Sequence, residues 1–145
     1  MNNLLCYSEA AKYAAQSDYK SVHIGCVAVY KNGFICGGYN STKTHPKQMR
    51  YNRYRNIRDA ATPMMPTLHA EIDCINQLKR ANVDYSKVKL YIYRELKDGR
   101  KGMCRPCPAC MRAIKDLGIR QIYYTTESGY AFEMIDGAKH EVCEN

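Results

Sequence analysis

The chain lacks any apolar run long enough to span a membrane, and its first residues lack a basic segment followed by an apolar one. These absences argue against a transmembrane helix and a signal peptide, so we expect a cytoplasmic protein with no membrane partner. Repeats, low-complexity segments and linkers are also missing from the 145 residues. We therefore expect a single domain over residues 1–145, long enough to bury a real core.

The eight cysteines need a separate explanation, because a small secreted protein would use that number for disulfides. Without an export signal, they are better interpreted as reduced thiols. Most such cysteines serve as small core residues, and any that act chemically must be identified by their spacing.

Acidic residues are scarce relative to basic ones: 14 Asp and Glu stand against 22 Lys and Arg, which gives a net charge of +8. Residues 43–58 contain no acid at all, and Tyr51 and Tyr54 lie among the cations there. Such a stretch can follow a polynucleotide backbone, hold the phosphate of one nucleotide or form a solvated face. Because it lies directly upstream of His69, contact with an anionic substrate is a serious alternative to the solvated face. Its cations are Lys43, Lys47, Arg50, Arg53, Arg55 and Arg58.

Two short motifs carry the chemistry: His69-Ala70-Glu71 and Pro106-Cys107-Pro108-Ala109-Cys110. A catalytic zinc site takes three protein ligands and leaves its fourth position to water. Cys107 and Cys110 are three residues apart, so one helical turn presents both to the same ion. The H-x-E…P-C-x-x-C order is that of zinc nucleobase deaminases. The motifs therefore predict Zn²⁺ held by His69, Cys107 and Cys110, with Glu71 left to move protons.

Other interpretations of these motifs explain less. A C-x-x-C pair can be a redox couple or half of a structural zinc site. A structural site needs four protein ligands, and if Cys104 were the fourth, Glu71 would have no task. A redox couple would leave both His69 and Glu71 unexplained. The catalytic interpretation is preferred because it uses every member of the two motifs.

Apolar periodicity and turn residues predict the elements along the chain. Residues two apart face opposite sides of a helix, so His69 and Glu71 share a site only if His69 lies at the helix entry. The order of elements predicts an α/β protein with three α/β/α layers around a mixed sheet of about five strands. The elements are a helix capped by Ser8 and ending at Ala15, strands 24–30 and 34–39 joined by a type I′ turn, a loop 42–66 with a short helix within 48–58, a helix from His69, a strand 88–93, a helix from the second motif to Gly118, and a strand 119–126.

The last segment allows two structures. Residues 130–135 can return antiparallel to the preceding strand, or residues 130–136 can form a short helix followed by a parallel strand at 139–143. We favour the helix, because it pairs Tyr130 with Met134 at i, i+4 and leaves about a dozen residues for a parallel crossover.

The chain resembles the cytidine and deoxycytidylate deaminase superfamily, and within it the small deoxycytidylate-deaminase-like proteins. The similarity rests on residues 24–29, on Gly38-Tyr39-Asn40 and on the two motifs. It implies the cytidine-deaminase-like fold, Glu71 as the proton shuttle, Asn40 as a partner of the substrate sugar, and a homo-oligomer. Parallel final strands are typical of its nucleotide and polynucleotide branches, and an antiparallel hairpin of its free-nucleoside branch. Further substrate contacts are predicted at Ala70, Lys43, Arg50, Arg53 and Arg105.

The expected reaction is the hydrolytic deamination of a small-molecule pyrimidine nucleotide, with dCMP converted to dUMP and ammonia by a zinc-bound hydroxide. Alternatives are a deaminase of single-stranded DNA, RNA or tRNA, a free cytidine deaminase, and a non-catalytic zinc module, which an intact Glu71 argues against. One departure from the family pattern is an insertion, Lys97 to Met103, before the second motif. It puts the usual contacts of that region with the base in doubt.

Overall fold

A computed structural model describes residues 2–55, 67–135 and 140–144, the last of these as backbone only. The described part contains a six-stranded mixed sheet with helices on both faces. Its elements are α1 (Asn3–Ala14), β1 (His23–Tyr30), β2 (Gly33–Tyr39), α2 (Pro46–Tyr51), α3 (Ala70–Leu78), β3 (Lys89–Glu95), α4 (Pro108–Leu117), β4 (Gln121–Thr125), β5 (Tyr130–Ile135) and β6 (His140–Glu144).

The strand order in the sheet is β2-β1-β3-β4-β5-β6. Strand β1 runs antiparallel to both of its neighbours, while β3 and β4 are parallel. Strands β2, β3 and β4 therefore point the same way, and their carboxyl ends meet the start of β1 at one end of the sheet. The predicted α/β class with a central mixed sheet is confirmed, with six strands where about five were expected.

Successive side chains of a strand point to opposite faces of the sheet, so the core consists of two layers. On one face, Val27 and Val29 of β1 pack with Tyr7 and Ala10 of α1. On the other face lies the larger cluster, where α3 and α4 cover the sheet through residues that include Cys26, Ile72, Ile75, Ile92, Ile114 and Ile122. Within the described residues, no helix combines the length and the apolar character needed to cross a bilayer.

Local backbone signals were predicted with mixed success. Lys31 and Asn32 have φ values of 49° and 61°, as the predicted type I′ turn requires, and Gly118 ends α4 with φ 99°. The cap predicted at Ser8 is wrong: α1 begins earlier, where the side chain of Asn2 accepts the Leu5 N–H at 2.8 Å. The predicted short helix is α2, followed by a 3₁₀ turn at 52–54; residues 56–66, Arg58 among them, lie outside the described residues.

The preferred prediction for the last segment is wrong. Residues 130–135 form β5, antiparallel to β4, and the turn between them is closed by Thr126 N–H donating to the Gly129 carbonyl at 2.8 Å. The core-facing positions of β5 include Glu133, a fully buried acid that the local sequence would place at the surface. That carboxylate is neutralised by Arg105, a partner 28 residues away that no local pattern reveals.

Gly38 lets α3 approach the sheet closely, and its replacement tests the packing beneath the site. A Cβ at Gly38 would lie 2.5 Å from the Cys74 nitrogen and 2.8 Å from the Ala70 carbonyl oxygen, both backbone atoms. We expect Gly38→Ala to lower the free energy of unfolding by about 1–3 kcal/mol, the usual cost of overpacking. Gly33→Ala is the control, since its Cβ would meet nothing closer than 3.6 Å. Equal urea midpoints for the two variants would contradict the close packing.

Candidate active site

Both motifs start helices at the same end of the sheet. Asn40 directly follows the carboxyl end of β2, and Arg94 is the penultimate residue of β3. Along the chain, α3 begins after β2 and α4 begins after β3. Open α/β sheets place ligands in the crevice beyond the carboxyl ends of their strands. The topology therefore brings the two motifs, 38 residues apart between His69 and Cys107, to one crevice.

His69 lies at the entry of α3, as the two-residue spacing to Glu71 requires. Its backbone is extended, with φ −85° and ψ 153°, and helical geometry begins only at Ala70. The buried Gln48 side chain of α2 fixes this entry, because its Oε1 accepts the His69 N–H at 3.0 Å. Its amide nitrogen donates to Asn52 Oδ1 at 2.8 Å, so both ends of the Gln48 amide are bonded. The prediction that His69 precedes the helix is confirmed.

The second motif completes a three-ligand cluster. Cys107 is the N-cap of α4, and Pro108 takes the first helical position, where a missing N–H costs nothing. His69 Nδ1 lies 3.3 Å from Cys110 Sγ and 3.6 Å from Cys107 Sγ, and all three ligand atoms lie within 4.8 Å of one another. Zinc bonds of about 2.0 Å to nitrogen and 2.3 Å to sulfur, at tetrahedral angles, separate such atoms by about 3.6 Å. The donor set and its spacing fit a zinc ion.

The pKa values of the two cluster thiols shift in opposite directions: the hydrogen bond with Cys107 and burial raise the pKa of Cys110. A hydrogen bond with Cys110 lowers the pKa of Cys107 to about 4, and His69 adds to this shift. This shift favours the thiolate form of Cys107, the form in which cysteine binds metals. Burial raises the pKa of Cys104 to about 12, and its Sγ donates to the Ile92 carbonyl at 3.3 Å. Cys104 is a protonated core thiol outside the metal cluster.

Glu71 is buried, with 5 % of its surface exposed, and burial raises the pKa of its carboxyl group. It lines a cavity of about 280 Å³ together with His69 and Cys107. The remaining walls are mostly apolar or aromatic. They come from Tyr19, Val22, Ile24, Asn40, Thr67, Leu68, Arg94, Met103, Cys104 and Arg105.

Asn40 lies in the cavity wall, but its amide already holds the start of β1. Its Oδ1 accepts the Ile24 N–H at 2.9 Å, and its Nδ2 donates to the Val22 carbonyl at 2.8 Å. One amide hydrogen and one lone pair are left for a substrate. Ala70 is buried at the first position of α3, where a backbone N–H has no partner within the helix.

Of the cations predicted to touch substrate, Arg105 alone lies in the cavity wall. Lys43, Arg50 and Arg53 are exposed and are not among its lining residues. The Lys43 carbonyl instead accepts the Leu68 N–H at 2.8 Å, which ties the basic stretch to the α3 entry.

The two tyrosines of that stretch also have structural partners. Tyr51 donates its hydroxyl hydrogen to Asp116 of α4 at 2.8 Å. The Tyr54 ring has the guanidinium of Arg53 at 4.9 Å and that of Arg112 at 5.0 Å. The Tyr51 hydroxyl and the Tyr54 ring therefore both contact α4.

Among the cavity residues that sequence reasoning missed are Arg94, Tyr19 and Met103. Arg94 stands near the carboxyl end of a parallel strand, a position that the crevice rule could have pointed out. Tyr19 is held by a hydrogen bond of 3.1 Å between its hydroxyl and that of Thr67. Met103 closes the insertion, and no signal in the sequence places it in the wall.

Gln48 offers a test of how the α3 entry positions the metal ligand. Gln48→Met would keep the side-chain volume but leave the His69 N–H without its acceptor. We expect zinc affinity to fall by about 10–100-fold, as for other losses of an outer-shell hydrogen bond. Competition with a chelator measures this, and Gln77→Met, at an exposed site on α3, is the control. Unchanged affinity in Gln48→Met would show that the fold positions His69 without this bond.

A three-ligand metal cluster beside a buried carboxylate, both facing one cavity, defines a metal-dependent hydrolytic enzyme. The family model described as the cytidine and deoxycytidylate deaminase zinc-binding region matches residues 2–126. The chain belongs to this family and is a zinc-dependent hydrolytic deaminase.

Solved structures share the fold at low sequence identity. Cytidine deaminase from Burkholderia pseudomallei is 14 % identical with a TM-score of 0.58, over 99 % of this chain and 93 % of that one. The dCMP deaminase of cyanophage S-TIM5 is 16 % identical with a TM-score of 0.56, over 88 % and 87 %. Cytidine deaminase from Mycobacterium leprae is 18 % identical with a TM-score of 0.55, over 91 % and 93 %. No curated protein matches the chain.

Proposed function

We propose that this chain hydrolyses the exocyclic amine of cytosine in a free pyrimidine nucleotide or nucleoside, releasing ammonia and the uracil product. The observation that carries the proposal is the placement of Glu71: its buried carboxylate lines the same cavity as His69 and Cys107. The cavity is mostly apolar, with a few polar groups, as small-molecule sites are.

In this proposal His69, Cys107 and Cys110 hold the zinc. When bound, zinc acts as a Lewis acid that makes hydroxide available from water near neutral pH. Glu71 accepts the proton lost by that water and delivers it to ring N3 of the cytosine. The oxygen of that water would bond to C4, and Glu71 would then take its second proton. As the bond between C4 and the amine breaks, Glu71 would pass this proton to the leaving nitrogen, which departs as ammonia and leaves a carbonyl at C4. The balance is one water consumed and one amine replaced by a carbonyl oxygen.

Two substrate assignments follow from different observations. An antiparallel hairpin such as β4–β5 is typical of the free-nucleoside branch of the superfamily. It therefore favours cytidine as the substrate over dCMP, which the sequence analysis preferred. Nucleotide substrates are favoured instead by the positive charge of Arg94 in the cavity wall. A polynucleotide substrate loses its main support, because Tyr51 and Tyr54 are engaged with α4.

An ammonia-release assay tests the proposal. The purified zinc-loaded chain is offered cytidine, deoxycytidine, CMP, dCMP, adenosine, single-stranded DNA and tRNA at equal base concentration. Release from one or more of the four free cytosine substrates is expected. Activity confined to adenosine or to a polynucleotide would overturn the proposal. A non-catalytic zinc module would release no ammonia from any of them.

A further inference from the structure

Two arginines line the cavity, and they differ in how their charge is balanced. Arg105 forms a bidentate pair with Glu133: its Nε donates to Oε2 at 2.8 Å and its Nη2 to Oε1 at 2.7 Å. Glu133 is fully buried and also accepts the Tyr124 hydroxyl at 3.2 Å. A fork-to-fork pair of this kind fixes the guanidinium and cancels its charge. Arg105 is therefore poorly suited to receive a second anion.

Among the described residues, Arg94 has no such partner. Its Nη1 donates to the Met103 carbonyl at 3.0 Å, a neutral acceptor, and its buried Nε has no hydrogen-bond partner in the described part of the chain. None of the ion pairs among the described residues includes Arg94. A buried donor without an acceptor costs free energy, and a ligand that supplies the acceptor recovers it.

The insertion before the second motif, residues 97–103, packs against Arg94 and positions its side chain. Its backbone turns back on β3, with Gly102 N–H donating to the Arg94 carbonyl at 3.0 Å. A Cβ at Gly102 would lie 3.0 Å from Arg94 Cδ and 3.1 Å from its Nε, so the missing side chain leaves room for the arginine. The insertion thus positions Arg94 in the cavity wall. Its charge is not balanced by an ion pair among the described residues, whereas Glu133 neutralises the charge of Arg105.

We propose that Arg94 binds the 5′-phosphate of the substrate and makes this chain a deaminase of cytosine mononucleotides rather than of nucleosides. The guanidinium is planar and always charged, and its remaining donors match phosphate oxygens. A mononucleotide is the source of that phosphate, since the tyrosines that could stack neighbouring bases of a strand are engaged with α4. This inference rests on the proposed function and specifies the substrate of the same site.

The test compares Arg94→Gln with the wild type on deoxycytidine and dCMP. Loss of a charge-assisted hydrogen bond should lower kcat/KM for dCMP by about 10–100-fold, mainly through KM, and should lower kcat/KM for deoxycytidine, which has no phosphate, far less. Arg94→Lys should restore part of the loss. Arg100→Gln is the matched control, because Arg100 lies in the same insertion, is exposed and pairs with Asp98.

Binding of the products separates this inference from the proposed function. Calorimetric titration should show that the wild type binds dUMP more tightly than deoxyuridine, and that Arg94→Gln removes the difference. Equal affinities in the wild type, or equal losses for both ligands in the variant, would overturn the role of Arg94 even if cytosine is deaminated. Preferred turnover of an oligonucleotide over dCMP would overturn it as well. A wild type that releases no ammonia but still binds dUMP more tightly than deoxyuridine, with the difference lost in Arg94→Gln, would instead count against the proposed reaction alone.

Discussion

Replacing Glu71 with glutamine is expected to reduce the rate of deamination by at least about 10²–10⁴-fold, the usual contribution of a general acid–base group. Glutamine has the same size and can keep hydrogen bonds in the buried pocket, but it cannot accept and return a proton. Zinc content and fold should remain, because Glu71 is not among the ligand atoms of the cluster. Ammonia release, metal analysis and circular dichroism on one preparation test all three expectations.

The control for this prediction is Glu127→Gln, the same chemical change at an exposed turn between β4 and β5. It should leave turnover at the wild-type level. If Glu71→Gln with full zinc content turned over substrate at nearly the normal rate, another group would have to move the protons. The assignment of Glu71 would then be lost even though the family membership stands.

The metal cluster could be predicted because its geometry is nearly local. Cys107 and Cys110 are brought together by a single turn of α4, and Pro108 marks where that turn starts. His69 and Glu71 share a site because the helix begins between them, a constraint that follows from their spacing alone. Only the proximity of the two motifs depends on the sheet, because both helices begin at the same end of it. The order of strands and helices in the sequence already implied this arrangement.

The end of the chain could not be predicted because its pattern depends on a distant partner. The pairing of Tyr130 with Met134 at i, i+4 favoured a helix, and nothing in the local sequence shows that Glu133 is buried on the core face of a strand. The carboxylate can be buried only because Arg105 reaches it from the loop before α4. Breaking such a pair leaves an uncompensated buried charge, so the strand and the loop depend on each other.

Which cations line the cavity could not be predicted for a related reason. A run of positive charge shows where basic residues concentrate along the chain, but not which way each side chain points. Arg50 and Arg53 are exposed, while Arg94 is the single arginine of β3 and follows the apolar residues 90–93. Its place in the cavity results from the turn of the insertion and from the space left at Gly102. Neither feature has a signature in composition or periodicity.

The second large effect concerns the metal. We expect one zinc ion per chain in the purified protein and its loss in Cys107→Ser, because a serine hydroxyl does not replace a thiolate ligand. Zinc affinity should fall by more than the factor of about 10–100 that is typical when a hydrogen bond to a metal ligand is lost. Deamination should disappear with the metal. The free energy of unfolding should fall too, since binding of zinc to the folded chain alone stabilises it. Elemental analysis and urea unfolding measure these effects.

Cys104 provides the matched control, since it is a cysteine three residues before Cys107 that lines the same cavity. Its Sγ donates to the Ile92 carbonyl and lies 3.1 Å from Thr125 Oγ1, so it is bonded to β3 and β4 instead of the cluster. Cys104→Ser should therefore keep one zinc per chain and the tetrahedral Co²⁺ spectrum of a site with two thiolates. If it lost zinc as completely as Cys107→Ser, Cys104 would be a fourth protein ligand. The open position that hydrolysis requires would then be filled, and the catalytic interpretation of both motifs would fail.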